Sequence, residues 1–190
     1  TYQRHEVITF KLRAIPTQTD STTYEMSILP FATGSVEELL DLIRDVRKVI
    51  TGCNITTGPS RCATMQRVLK GDALAAFNQA VDRLGTETNA NFDAALAGLK
   101  NHVIPKRAES LQKRYMRRFL RKPRNVKIRP YMARLVEMNE KIDEFSDTST
   151  KLPNDELMDL AEFGIPNTWQ NTMALQNFNP IDHDPSTFIE

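Results

Sequence analysis

The residues that could perform chemistry are few, and they are scattered along the chain. Cys53 and Cys62 have no CxxC spacing, and the three histidines lie far apart in the sequence. Structural zinc needs four clustered ligands, so we predict no metal site and no cofactor. His102, Glu109 and Ser110 are close in sequence, but no strand-turn-helix nucleophile elbow surrounds the serine. We therefore predict no catalytic residues, and we expect that the protein is not an enzyme.

Paired carboxylates and single glycines have simpler explanations in helix structure. Glu37 with Glu38, and Asp155 with Glu156, fall in predicted first helical turns, where a carboxylate favours the positive end of the helix dipole. The GPS and KGD segments at 58–60 and 70–72 each carry one glycine, which is typical of helix ends rather than of a phosphate-binding loop. The two thiols are expected to be reduced, although a disulfide between them stays open at this stage.

Charge is balanced over the whole chain but strongly segregated within it. The 25 Lys and Arg against 24 Asp and Glu give a net charge of +1, so no whole-molecule field indicates a nucleic-acid or membrane partner. Residues 106–134, however, hold twelve cations and one acid, Glu109, whereas residues 135–163 hold nine acids and two cations. The chain therefore contains a local dipole.

The basic segment has two interpretations, contact with RNA phosphates or a solvated helix face paired with the acidic segment. The sequence favours the second, because Tyr115 and Phe119 lie on the predicted core stripe and are not expected to be free for base stacking. The candidate RNA-binding or assembly residues are Lys113, Arg114, Arg117, Arg118, Arg121, Lys122 and Arg124.

The first 105 residues are predicted to form one lobe. Residues 5–12 and 23–29 alternate apolar and polar side chains, which predicts a β-hairpin over 5–29. Helices follow. Ser35 and Glu38 form a capping box for the first helix, Asp72 is expected to cap the third, and Asn89 or Asn91 to start the fourth.

Residues 106–190 are predicted to form a second, all-helical lobe of four helices. A basic helix carries an apolar stripe of Ala108, Leu111, Tyr115 and Phe119, and Asn154 is expected to cap a later, short helix. The predicted core residues are Tyr131, Leu135, Met138, Ile142 and Phe145 on a long helix, Leu157 and Leu160 on the short one, and Trp169. Asp184 and Pro185 have the pattern of a further helix start, so we expect a longer product.

The cellular location is inferred from the lack of targeting signals. No apolar run approaches the ~20 residues of a membrane span, and the N-terminus lacks the apolar core of a signal peptide. We expect a cytoplasmic protein with no membrane partner.

The order of four motifs resembles the Gag capsid region of LTR retrotransposons. They are LPFATGSVEELLDLIRDVRKVI, QRVLKGDALAAF, RYMRRFLRKPRNVKIRPYMARLVEMNEKIDEF and LPNDELMDLAEFGIPNTWQNTM, within residues 29–180. The positions that match the family pattern are Phe31, Gly34, Leu39, Leu69, Gly71, Ala73, Tyr131, Arg134, Asn139, Phe145, Leu157, Gly164, Pro166 and Trp169. The chain departs from the family at Phe77, where a Trp is frequent, and it carries no zinc knuckle.

The resemblance implies a mainly α, two-lobed capsid-like fold with a short N-terminal β-hairpin. It also implies a structural protein that self-assembles into a virus-like shell around its own RNA. Two alternatives remain open: a monomeric nucleic-acid-binding helical module that uses residues 106–129, and a domesticated Gag-derived domain that binds a peptide.

Overall fold

A computed structural model of the chain describes residues 6–146 and 148–182. Of the described residues 61% are helical, in eight helices, and a short two-stranded antiparallel sheet lies near the N-terminus. This confirms the prediction of a mainly helical chain that begins with a β-hairpin. The chain divides into two compact units, Thr1–Pro105 and Lys106–Glu190.

The hairpin consists of β1 (Ile8–Arg13) and β2 (Thr23–Ile28). In the antiparallel register, Phe10 lies opposite Met26 and Leu12 lies opposite Tyr24. The period of two places Phe10 and Leu12 on the buried face, with 7% and 1% of each residue exposed. Leu12 meets the end of the first helix at Gly52, where a Cβ atom would lie 2.7 Å from Leu12 Cδ2. A glycine there allows the hairpin to approach the helix closely.

Four helices complete the first unit: α1 (Val36–Gly52), α2 (Gly58–Val68), α3 (Gly71–Leu84) and α4 (Asn89–Val103). The predicted capping box at Ser35 is confirmed. Ser35 Oγ accepts from the amide of Glu38 at 3.2 Å, and the amide of Ser35 donates to Glu38 Oε2 at 2.9 Å.

One predicted cap in the first unit is wrong. The cap position of α3 is Lys70, and Asp72 lies within the first turn. The cause is that Phe31 hydrogen-bonds to this segment, with the amide of Lys70 donating to Phe31 O at 2.8 Å, so that the chain stays extended until Gly71 turns at φ +49°. Helix α4 starts at Asn89, one of the two predicted starts, and its cap is Thr88, whose hydroxyl accepts from the amide of Asn91 at 3.1 Å.

The second unit contains α5 (Ala108–Arg118), α6 (Ile128–Asp143), α7 (Asn154–Gly164), α8 (Asn167–Leu175) and a 3₁₀ turn, Pro180–Asp182. The predicted core residues Tyr131, Leu135, Met138, Ile142, Phe145 and Leu157 are buried. Leu160 is half-buried, so it lies at the edge of the core and not inside it as predicted. Pro153, not Asn154, is at the cap position of α7, and no side chain caps this helix. The predicted helix start at Asp184 and Pro185 lies outside the described residues.

Asn139 joins α6 to the linker that leads to α7. Its side chain is buried, its Nδ2 donates to Leu152 O at 2.9 Å, and its Oδ1 accepts from the amide of Leu152 at 2.8 Å. The paired bonds satisfy both ends of the amide and both backbone groups of Leu152. An Asn in a helix interior usually weakens it, but here it fixes the course of the linker.

Gly164 ends α7 directly against the ring of Tyr131. A Cβ atom at this position would overlap the Tyr131 hydroxyl, and the ring Cζ would be 2.9 Å away. The hydroxyl is buried and has no hydrogen-bond partner among the described residues. Burial raises the pKa of Tyr131 above its usual range. The close approach of α6 to the end of α7 therefore requires a glycine.

Gly164→Ala is expected to destabilise the second unit by about 1–3 kcal/mol, because the methyl group overpacks a filled site. Tyr131→Phe is the matched control. It is expected to be neutral or to stabilise by about 1 kcal/mol, because it removes a buried hydroxyl without a partner. Urea unfolding of both variants measures the difference, and a loss of several kcal/mol in Tyr131→Phe would show that the hydroxyl is bonded.

A candidate interaction surface on the second unit

Helix α5 is oriented differently from the sequence prediction. Leu111, Tyr115 and Phe119, which were expected to face the core, are 46%, 46% and 67% exposed. Met116 is instead the buried residue of this helix, with 1% exposed. Since Met116 is one position from Tyr115, the inward face is rotated by about 100° from the predicted stripe.

A satisfied ion pair explains why the polar face of α5 can point inward. Lys113 Nζ lies 2.8 Å from Glu109 Oε1, and the two side chains are 18% and 34% exposed. The bond to Lys113 lowers the pKa of the Glu109 carboxyl, with further bonds from Ser149 and the backbone of Thr150 on the linker after α6. The charged atoms of this face therefore have partners, and Met116 supplies its apolar contact.

The outward face of α5 consists of Leu111, Arg114, Tyr115 and Arg118, and the C-cap residue Phe119 continues it. We call these five residues the arginine–aromatic face. Its members recur at intervals of three and one, the spacing of one helix face, and all five are exposed. The ring centroids of Tyr115 and Phe119 are 6.1 Å apart and the ring planes are inclined by 32°. The two rings are not stacked face to face, so each keeps exposed area.

The candidate cations differ in what they contact. Lys113 pairs within α5, and Arg117 reaches α7, where its Nε donates to Glu156 Oε1 at 2.7 Å. The sequence favoured pairing of the basic segment with the acidic segment of the same chain, and Arg117 is the one candidate cation that forms such a pair with a described residue. Arg114, Arg118 and Arg124 are exposed and form no ion pair with any described residue.

The acids of α6 are engaged by other cations. Glu137 forms ion pairs with Arg134 at 3.0 Å and with Lys141 at 3.1 Å. Both contacts lower the pKa of the Glu137 carboxyl, and the contact with Arg134 has the larger effect. Glu140 binds Lys151 at 2.9 Å. Arg134, Lys141 and Lys151 thus engage Glu137, Glu140 and Asp143, and these acids do not cancel the charge of the arginine–aromatic face.

Two further cations lie over aromatic rings at the end of α7 and the start of α8. The Arg121 guanidinium carbon is 4.2 Å from the centre of the Phe163 ring, and Lys122 Nζ is 5.0 Å from the Trp169 ring. The amide of Lys122 also donates to Gly164 O at 2.8 Å. Residues 121 and 122 are thereby attached to this part of the unit by backbone and side chain.

Trp169 is 45% exposed, so its prediction as a core residue is wrong. It lies on α8, a nine-residue helix with no buried residue. Met173, one helical turn after it, is only half-buried. The indole is covered on one side by Lys122, and apolar side chains do not enclose it.

The described residues show no arrangement suited to metal chemistry. No group of three or more His, Cys, Asp or Glu in residues 6–146 and 148–182 could hold a metal ion. Cys53 and Cys62 are free thiols, and burial raises the pKa of both. A disulfide between them is therefore not formed. No helix in the described part of the chain is both long enough and apolar enough to cross a membrane.

Comparisons with protein-family models, curated proteins and solved structures give no match to this chain.

The Arg117 bridge and Arg118, which forms no ion pair with a described residue, make a matched pair for a stability test. Arg117→Gln is expected to cost at most about 1 kcal/mol, because both partners are partly exposed and solvent screens the pair. Arg118→Gln is expected to stay within about 0.5 kcal/mol of the unsubstituted protein. Melting at low and high salt measures both, and the difference should shrink with salt. A larger loss in Arg118→Gln would show an ion pair that the structure lacks.

Glu109 predicts a specific pH dependence. Its pKa is lower in the folded than in the unfolded chain, so the stability it contributes is present above the unfolded value of about 4.3 and is lost as the pH falls through the folded value. Glu109→Gln should therefore reduce the stability of the second unit at neutral pH and make no difference in strong acid. Melting curves across this range check it, and a constant difference at every pH would contradict it.

Proposed function

We propose that the protein is a structural capsid subunit of the Gag type from an LTR retrotransposon. In this proposal copies of the chain assemble in the cytoplasm into a virus-like shell that packages the element's RNA. The proposal rests on the motif order described above and on the surface chemistry of the second unit. It requires stable lobes and weak repeated contacts between copies, not a catalytic centre.

The observation that carries the proposal is the exposure of α8. This helix bears Trp169, Met173 and Leu175 and buries none of its residues, and Leu175 is 88% exposed. Helices in small domains normally bury an apolar face against their own core. An ordered helix that leaves large apolar side chains in solvent is suited to contact another protein surface. A second copy of the chain is the partner that a shell-forming subunit needs.

A second candidate function is supported by a different observation. The exposed rings and arginines of the arginine–aromatic face favour a nucleic-acid-binding module that acts through residues 106–129 as a monomer. The two candidates differ in one measurable property, because a shell subunit associates at high concentration without RNA and a monomeric module does not.

Self-association is expected to show a concentration threshold, because each contact is weak and many form together. Sedimentation of nuclease-treated protein over a range of concentration, salt and pH measures it, with electron microscopy of the largest species. Protein that stays monomeric throughout would contradict the capsid proposal and favour the monomeric module.

Leu175→Ser tests whether α8 forms the contact. The side chain is almost fully exposed, so the substitution should leave the melting temperature unchanged while it raises the concentration needed for assembly. Asn171→Ser is the matched control, since Asn171 is an exposed polar residue of the same helix and should affect neither property. Unchanged assembly in Leu175→Ser would exclude this part of α8 from the contact.

A further inference from the structure

The arginine–aromatic face combines two features that rarely occur together on a solvated helix. Tyr115 and Phe119 are large rings with 46% and 67% of the residue exposed, and Arg114 and Arg118 precede them at one position each. Neither arginine is paired with a described acid. Exposing two adjacent aromatic rings is unfavourable in water, so the arrangement is more easily explained by a ligand than by folding.

The charge around this face identifies the class of ligand. Residues 106–134 hold twelve cations and one acid, and that acid, Glu109, is on the inward side and bound to Lys113. An anionic partner would thus meet a surface without exposed carboxylates from its own helix. A second copy that met this face in a two-fold contact would bring the same cations to it, and like charges would oppose such a contact.

The rings select among anionic ligands. A free phosphate or a duplex backbone would use the arginines but leave both rings in water. In a single strand the bases are unstacked and can lie on aromatic side chains, while the phosphates reach nearby cations. Tyr115 and Phe119 are separated by 6.1 Å and tilted, so each can receive its own base.

We infer that the arginine–aromatic face binds single-stranded RNA. Bases stack on Tyr115 and Phe119, and Arg114 and Arg118 contact the phosphates on either side. Recognition is independent of sequence, because every base offers a ring face and no side-chain amide lies on this face to read base edges. The inference rests on the proposed function for the identity of the ligand as RNA, but it does not require that the chain assembles.

The test uses the full chain and a short, fluorescently labelled single-stranded RNA of mixed sequence. Removal of one ring, in Tyr115→Ala or Phe119→Ala, is expected to weaken binding roughly 5- to 150-fold, the range for the loss of one stacked base. The slope of affinity against salt should stay the same, because no phosphate contact is lost. Arg118→Gln should instead weaken binding and reduce that slope by about 0.7 for its one phosphate.

Three controls separate stacking from other effects. Tyr115→Phe keeps the ring and should bind as the unsubstituted protein does. Tyr24→Ala removes a tyrosine of similar exposure, 52%, from the first unit and should have no effect. Leu111→Ala removes an apolar side chain without a ring from the same face and should change affinity less than either ring variant. Melting curves establish that each variant is folded.

Several outcomes would overturn the inference. Unchanged RNA affinity in both ring variants would exclude stacking, and equal binding of a duplex of the same sequence, insensitive to ring removal, would indicate contact with phosphates alone. If the ring variants bind RNA normally but fail to assemble in nuclease-treated buffer, the face is a contact between copies. Assembly without RNA binding would contradict this inference but not the capsid proposal. RNA binding by a protein that stays monomeric would contradict the capsid proposal but not this inference.

Discussion

The inward face of α5 includes one buried methionine and one ion pair, and the composition of the outward face of this helix depends on them. Met116 supplies the buried apolar contact. The ion pair between Glu109 and Lys113 lowers the free-energy cost of turning these two polar side chains inward. Once this face is fixed, the helix period forces Tyr115 and Phe119 outward with Arg114 and Arg118. The same two rings would have been core residues after a rotation of about 100°.

The basic and acidic segments of the second unit differ in how many of their charges are paired. In α6 and the linker after it, acids and cations pair locally: Glu137 binds Arg134 and Lys141, and Glu140 binds Lys151. In α5, Arg117 reaches across to Glu156, whereas Arg114 and Arg118 stay in solvent. The dipole seen in the sequence is thus only partly cancelled by folding, and the uncancelled part lies beside the exposed rings. Assembly through α8 and RNA contact through α5 would use different helices.

The sequence predicts the fold well where burial and the apolar pattern coincide. On α6 the residues Tyr131, Leu135, Met138 and Ile142 recur at intervals of four and three and are buried, as is Phe145 just beyond the helix. The β-hairpin alternates as expected. The prediction is wrong on α5, because the stripe with the most apolar side chains is exposed and the neighbouring stripe, which contains Met116, is buried. The spacing of Glu109 and Lys113 by four residues was visible, but such pairs are usually exposed, so it gave no reason to turn them inward.

The predictions for Trp169 and for two helix caps were wrong for a related reason. A single tryptophan is expected in a core because of its apolar area, but α8 has no opposing apolar layer, and the indole meets Lys122 instead. The caps at Lys70 and Pro153 depend on how neighbouring segments hold the backbone, which local sequence does not encode. The role of Asn139 in fixing the linker likewise requires knowledge that Leu152 lies beside it.

The position of Trp169 gives the protein a spectroscopic reporter of its own. It is the single tryptophan of the chain, 45% exposed, with the Lys122 ammonium 5.0 Å from its ring. All indole emission therefore originates from α8, in a partly aqueous and positively charged setting. An anion such as iodide should quench it more efficiently than a cation such as caesium, because the local field concentrates anions near the ring. Whatever covers α8 in solution would shift this emission to shorter wavelength and remove the preference for the anion, without any label.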